Sequence, residues 1–121
     1  QIVCYSVGRS QKVSNEEYDN VLETLFLQKA WDYFNHILKQ DNQKPLSDDP
    51  YILDIDLDYF NTRKSFQPTD SVFFKQLLKK AALVTIATEP DYIKKCAIDP
   101  HLKLESILEE VYQWQNDRIS L

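Results

Sequence analysis

The stretch YILDIDLDYF, residues 51–60, sets three aspartates at every second position of an otherwise apolar run. Asp54, Asp56 and Asp58 alternate with Leu53, Ile55, Leu57 and Tyr59. Strict alternation reads as a β-strand, because successive side chains leave a strand on opposite sides. The reading places all three carboxylates on one face, with neighbours about 6.6 Å apart at the usual rise per residue. Like charges at that spacing repel and raise one another's pKa unless a cation sits among them. What compensates them is the question the rest of the chain must answer.

Working outward, ALVTIAT (82–88) reads as a second strand, mostly apolar through its length as strands of a parallel sheet are. Between the two, NTRKSFQPT (61–69) is a long connection. Thr69 or Asp70 then caps a helix with Phe73, Phe74, Leu77, Leu78 and Ala81 on one side. Upstream, Ser14 or Asn15 caps a helix whose stripe is Tyr18, Val21, Leu22 and Leu25. A second stripe, Leu27, Ala30, Trp31, Phe34, Ile37 and Leu38, is out of phase with the first, which predicts a break near Phe26. QDNQKPLSDDP (40–50) is a loop of turn formers. Residues 89–98 connect onward, and Asp99-Pro100 opens a last helix, to about Asn116, with Leu104, Ile107, Leu108, Val111 and Trp114 or Gln115 inside. Residues 2–7 read as a further strand. The order β-α-(α)-β-α-β-α predicts an α/β fold with a mainly parallel sheet.

Composition bounds the possibilities. The 121 residues are 43% hydrophobic and 12% aromatic, as expected of one folded domain rather than a disordered segment. A net charge of −5 with scattered Lys and Arg argues against a general nucleic-acid binder. No apolar run has the length of a membrane span, and no signal segment opens the chain. Cys4 and Cys96 are expected buried and reduced, which points to the cytoplasm. The chain has no Met and one glycine, Gly8, where an α/β enzyme ordinarily spends several. The expectation is a piece of a larger protein, residues 1–121 being a single domain or the C-terminal portion of one.

In parallel α/β folds, ligands sit outside the carboxyl ends of the strands, and the aspartates lie toward that end of theirs. Oxygen-only carboxylate donors favour hard cations such as Mg²⁺ or Mn²⁺. The competing reading is an edge strand whose aspartates face water. A D-x-D-x-D-G calcium loop is excluded, because Tyr59 and Ser65 stand where glycine and glutamate are needed. A haloacid-dehalogenase-like phosphatase remains an alternative, with Asp54 as nucleophile and Thr88 as a strand-end threonine. Asp58 stands where that pattern has threonine or valine.

ILDIDLDYF followed by ALVTIATEPDYI resembles the arginase–deacetylase superfamily, in the branch that includes the peptide arginases, over roughly residues 50–110. The resemblance implies a three-layer α/β/α sandwich of which this chain holds the later portion, and a binuclear Mn²⁺ centre. The reaction it implies is hydrolysis of an arginine guanidinium, within a peptide, to ornithine and urea. Asp54 and Asp56 match the S-x-D-x-D region whose aspartates bind metal, although Ile52 and Leu53 stand where that pattern has its serine. Asp58 is expected to hold a ligand in place or contact substrate. Glu89, just past the second strand, is expected to pair with the guanidinium; as a plain loop acid before proline it needs no such role. The family's G-G-D-H-like and D-A-H-x-D-like segments do not occur here. His36 and His101 read as surface residues, so the remaining ligands are expected from a preceding segment or a second chain. The opposed expectation is a non-catalytic fragment or degenerate homologue that packs against a partner.

Overall fold

The computed structural model describes residues 6–7, 15–46 and 49–119. Its elements in chain order are α1 (Asn15–Asp19), α2 (Thr24–Gln40), β1 (Ile52–Asp56), α3 (Val72–Lys80), β2 (Leu83–Ala87), α4 (Pro90–Cys96) and α5 (Leu104–Ile119). Two short 3₁₀ turns, Leu57–Tyr59 and Lys64–Phe66, lie on the way from β1 to α3. The expected strand at 2–7, the cap at Ser14 and Cys4 lie outside the described residues, apart from Ser6 and Val7.

β1 and β2 pair in parallel, Ile52 opposite Leu83 and Asp56 opposite Ala87. Parallel neighbours need a crossover, and residues 57–82, with α3, supply it. The alternation of both strands sorts their residues cleanly. Leu53, Ile55, Val84 and Ile86 join one hydrophobic core with Leu78 of α3 and Ile107, Val111 and Trp114 of α5. Ile52, Asp54, Asp56, Leu83 and Thr85 occupy the other face and are exposed. β2 is therefore not covered on both faces among the described residues, contrary to the reading of ALVTIAT. The fold is α/β with a small two-stranded parallel sheet.

Aromatic residues centre the core. Phe60 is fully buried, and its ring lies 5.7 Å from Trp114 and 6.3 Å from Phe66. Phe74 meets Trp114 edge-on at 5.0 Å, which ties α3 to α5. Trp31 of α2 stands edge-on to Tyr51 and Phe73. Offset and edge-to-face rings of this kind add to area burial alone.

Polar groups clamp the ends of the helices. Thr69 and Asp70 donate their N–H groups to the Glu23 carboxylate at 2.8 and 3.0 Å. Thr24 donates through Oγ1 to the Asp70 carboxylate at 2.8 Å, and Phe73 N–H donates to Thr24 Oγ1. The starts of α2 and α3 thus satisfy each other's free donors. The helix break falls at residues 20–23, before Thr24, rather than near Phe26. Thr24 is fixed by Asp70, a partner 46 positions away that local periodicity cannot reveal. Asn42 closes α2 with φ 55, a conformation asparagine tolerates better than most residues.

Two further boundaries differ from the sequence reading. Residues 90–96 form α4 rather than a plain connection, with Pro90 in its first turn and Ile93 buried. Asp99-Pro100 does not open α5. Instead Asp99 Oδ1 accepts the N–H of His101 in a local turn, and the helix begins at Leu104. Cys96 is a free thiol and exposed, against the expectation of a buried one. No helix among the described residues is long and apolar enough to cross a membrane.

Candidate functional site

The alternation of residues 51–60 puts two of the three aspartates where it predicts. Asp54 and Asp56 leave β1 on its open face, Asp54 at mid-strand and Asp56 at the carboxyl end, where parallel sheets bind ligands. Asp58 does not follow them. Leu57–Tyr59 coil into a 3₁₀ turn, so the strand period ends at Asp56. That turn is held from a distance: Tyr59 donates its hydroxyl to the Val21 carbonyl at 3.0 Å, and Leu57 is fully buried. A single-face row of three carboxylates is thus replaced by a pair on the strand and a third, half-buried, in the turn beyond it.

Each aspartate has a different environment. Asp54 Oδ1 accepts a hydrogen bond of 2.6 Å from the hydroxyl of Thr85, its register partner on β2. Opposite Asp56 the sheet offers Ala87, which has no donor in its side chain. Partial desolvation, then the charges of Asp54 and Asp58, hold the Asp56 carboxyl above the ordinary aspartate value. The charge of Asp58 thus reaches Asp56 even though Asp58 left the strand. Asp58 offers its carbonyl to Asn61 Nδ2 at 2.9 Å.

Asn61 is 1% exposed, and its Oδ1 has no hydrogen-bond partner among the described residues. Its main-chain carbonyl accepts the N–H groups of Ile98 and Asp99, at 2.9 and 3.4 Å. This one residue ties the turn after β1 to the segment after α4, both of them at the carboxyl end of the sheet.

Glu89 is exposed and precedes Pro90 at the start of α4, two residues beyond the end of β2. It lies on the correct side of the sheet for a mouth residue, but its charge is not among the causes acting on Asp56. Thr88 is exposed past the strand end, and the threonine that meets Asp54 is Thr85. His36 and His101 are exposed. Sequence reasoning missed Thr85 and Asn61. The even spacing of Leu83, Thr85 and Ala87 could have placed Thr85 on the outer face. Nothing local announces Asn61, whose partners are set by tertiary packing.

Asp54 and Asp56 supply the oxygen donors that Mg²⁺ or Mn²⁺ takes. Among the described residues, no group of three or more His, Cys, Asp or Glu is arranged to hold a metal ion. Two carboxylates alone are fewer donors than such a group needs. Comparison with known proteins finds no matching family, no matching curated protein and no matching solved structure.

Proposed function

We propose that this chain contributes one wall of a metal-dependent hydrolase centre of ureohydrolase type, with Asp54 and Asp56 as metal-binding carboxylates. The observation that carries the reading is the exposed pair Asp54 and Asp56 on the open face of β1, with Asp56 at the strand's carboxyl end, where partial desolvation and then the charges of Asp54 and Asp58 raise the Asp56 carboxyl. A hard cation relieves that repulsion, and a pair of Mn²⁺ ions when bound would supply hydroxide near neutral pH. Thr85, by donating to Asp54 Oδ1, fixes that carboxylate and leaves its other oxygen for a ligand. Asn61 holds the backbone of Asp58, so that its carboxylate is presented beside the pair.

The substrate in this reading is the guanidinium of an arginine within a peptide, paired with the exposed carboxylate of Glu89. In the reaction, water oxygen bonds to the guanidino carbon. The bond from that carbon to the side-chain nitrogen breaks, and the nitrogen leaves as the ornithine amine after gaining a proton; the other product is urea. The complete fold would be a three-layer α/β/α sandwich in the cytoplasm, with the remaining donors on a preceding segment or a second chain.

A second reading, a non-catalytic packing partner, is favoured by Ile52 and Leu83, which stand opposite each other on the open face at 63% and 52% exposure. One experiment separates the two. The protein is purified in Mn²⁺ with whatever accompanies it, and its metal content and urea release from an arginine-containing peptide are measured. Bound Mn²⁺ and urea release, both lost in Asp54→Asn, support the hydrolase. A metal-free, inactive particle in which Ile52→Glu releases a partner supports packing alone.

A further inference from the structure

Away from the aspartates, β2 and α5 enclose an open groove of about 290 Å³. Its walls are Val84 and Ile86 of β2, Val111, Trp114 and Ile119 of α5, and the side chain of Arg118. No Asp or Glu lines it. Arg118 donates Nε to the Leu78 carbonyl at 2.9 Å and Nη2 to the Ala81 carbonyl at 2.8 Å, closing the end of α3. Those bonds use two of the five N–H donors of a guanidinium. They leave its charge without a carboxylate among the described residues. A partly buried, permanent cation at the side of an apolar trough is complementary to an anion that carries an apolar chain. The volume is near the lower end of the ligand-pocket range of roughly 300–1,000 Å³, which suits a chain rather than a large ring system.

We propose that this groove binds a medium-chain monocarboxylate, with its chain along Val84, Ile86 and Trp114 and its carboxylate on the free N–H groups of Arg118. No aspartate lines the groove, and the proposal stands or falls independently of any metal chemistry at Asp54 and Asp56.

The test is isothermal titration calorimetry of the intact chain with hexanoate, octanoate and decanoate, and with decanol as the uncharged control. Affinity should rise about threefold to fourfold for each methylene the groove buries. Decanoate should bind about tenfold tighter than decanol, as expected for a charge-assisted pair. Arg118→Gln should bring decanoate down to the affinity of decanol, and Val84→Trp, which fills the trough, should weaken decanoate at least tenfold. Equal binding of decanoate and decanol to the unaltered protein would overturn the proposal, as would the absence of saturable decanoate binding. The wild-type comparison decides the matter even if Arg118→Gln, which also loses a helix closure, does not fold.

Discussion

Replacing Asp56 by asparagine should stabilise the protein at neutral pH and leave it unchanged in acid. In β1 the carboxylates of Asp54 and Asp56 are two residues apart on one face, about 6.6 Å by strand rise. Two unit charges at that distance in water repel by roughly 0.6 kcal/mol. Partial desolvation of the Asp56 carboxylate, which is the larger cause, and the charge of Asp58 act in the same direction. A gain of about 0.5–1 kcal/mol at low salt corresponds to roughly 2–5 °C in Tm for a domain of this size. The folded state holds the proton of Asp56 to a higher pH than the unfolded chain does. Stability therefore falls as pH rises from the ordinary aspartate value of 3.8 through the raised one. Below that window the carboxyl is neutral in both states, and the substitution gains nothing. Salt at 1 M, where the screening length is about 3 Å, should also remove most of the gain. Asp54→Asn is the internal control. It relieves the same repulsion but weakens the bond from Thr85, so its gain should be smaller. Thermal unfolding followed by circular dichroism at pH 3 and pH 7, with and without salt, reads all of this. A lower Tm for Asp56→Asn at pH 7, or a gain of equal size at pH 3, would refute the electrostatic account of this face.

Three further outcomes follow from the packing. Phe60→Ala removes a fully buried ring that touches Phe66 and Trp114, and should cost about 3–5 kcal/mol in urea unfolding. That is a large share of a total expected at roughly 0.05–0.15 kcal/mol per residue; a loss under about 1 kcal/mol would mean the aromatic centre is misplaced. Asn61→Asp puts a carboxylate in a position 1% exposed and removes the donor to Asp58, so its pKa should be raised and the fold should weaken as pH climbs above the aspartate range. Equal stability at pH 4 and pH 8 would contradict the burial. Glu23→Ala frees the N–H groups of Thr69 and Asp70 and should cost about 1 kcal/mol, as a lost cap does. An unchanged unfolding midpoint would show that water replaces the carboxylate without loss.

Much of this arrangement is legible in the residues themselves. Period-two alternation finds β1, and the apolar run at 82–88 finds β2, although the alternation ends at Asp56 and the second strand is covered on one face only among the described residues. Helical spacing likewise finds the inner face of α5, where Ile107, Val111 and Trp114 are buried. Several of the departures are places where a distant partner decides, and others are short local elements. Asp58 leaves the strand because Leu57 is drawn into the core and Tyr59 reaches Val21. The break before α2 is set by Asp70, and α5 starts late because Asp99 spends its side chain on a local turn. α4 is seven residues long and buries Ile93 alone, too little for periodicity to register. Of the candidate site, the exposed pair Asp54 and Asp56 was visible in the sequence, while Thr85 and Asn61 emerge only when the two strands and the turn are brought together.

Whether Asp54 and Asp56 form one wall of a cation site is tested most directly by a Mn²⁺ titration of this chain followed by electron paramagnetic resonance. With only part of a donor set, the chain should bind Mn²⁺ weakly, on the order of 10⁻⁴–10⁻³ M as the weaker carboxylate sites do. The Asp54→Asn, Asp56→Asn double variant, folded by circular dichroism, should lose that binding. Identical Mn²⁺ isotherms for the two proteins would contradict it.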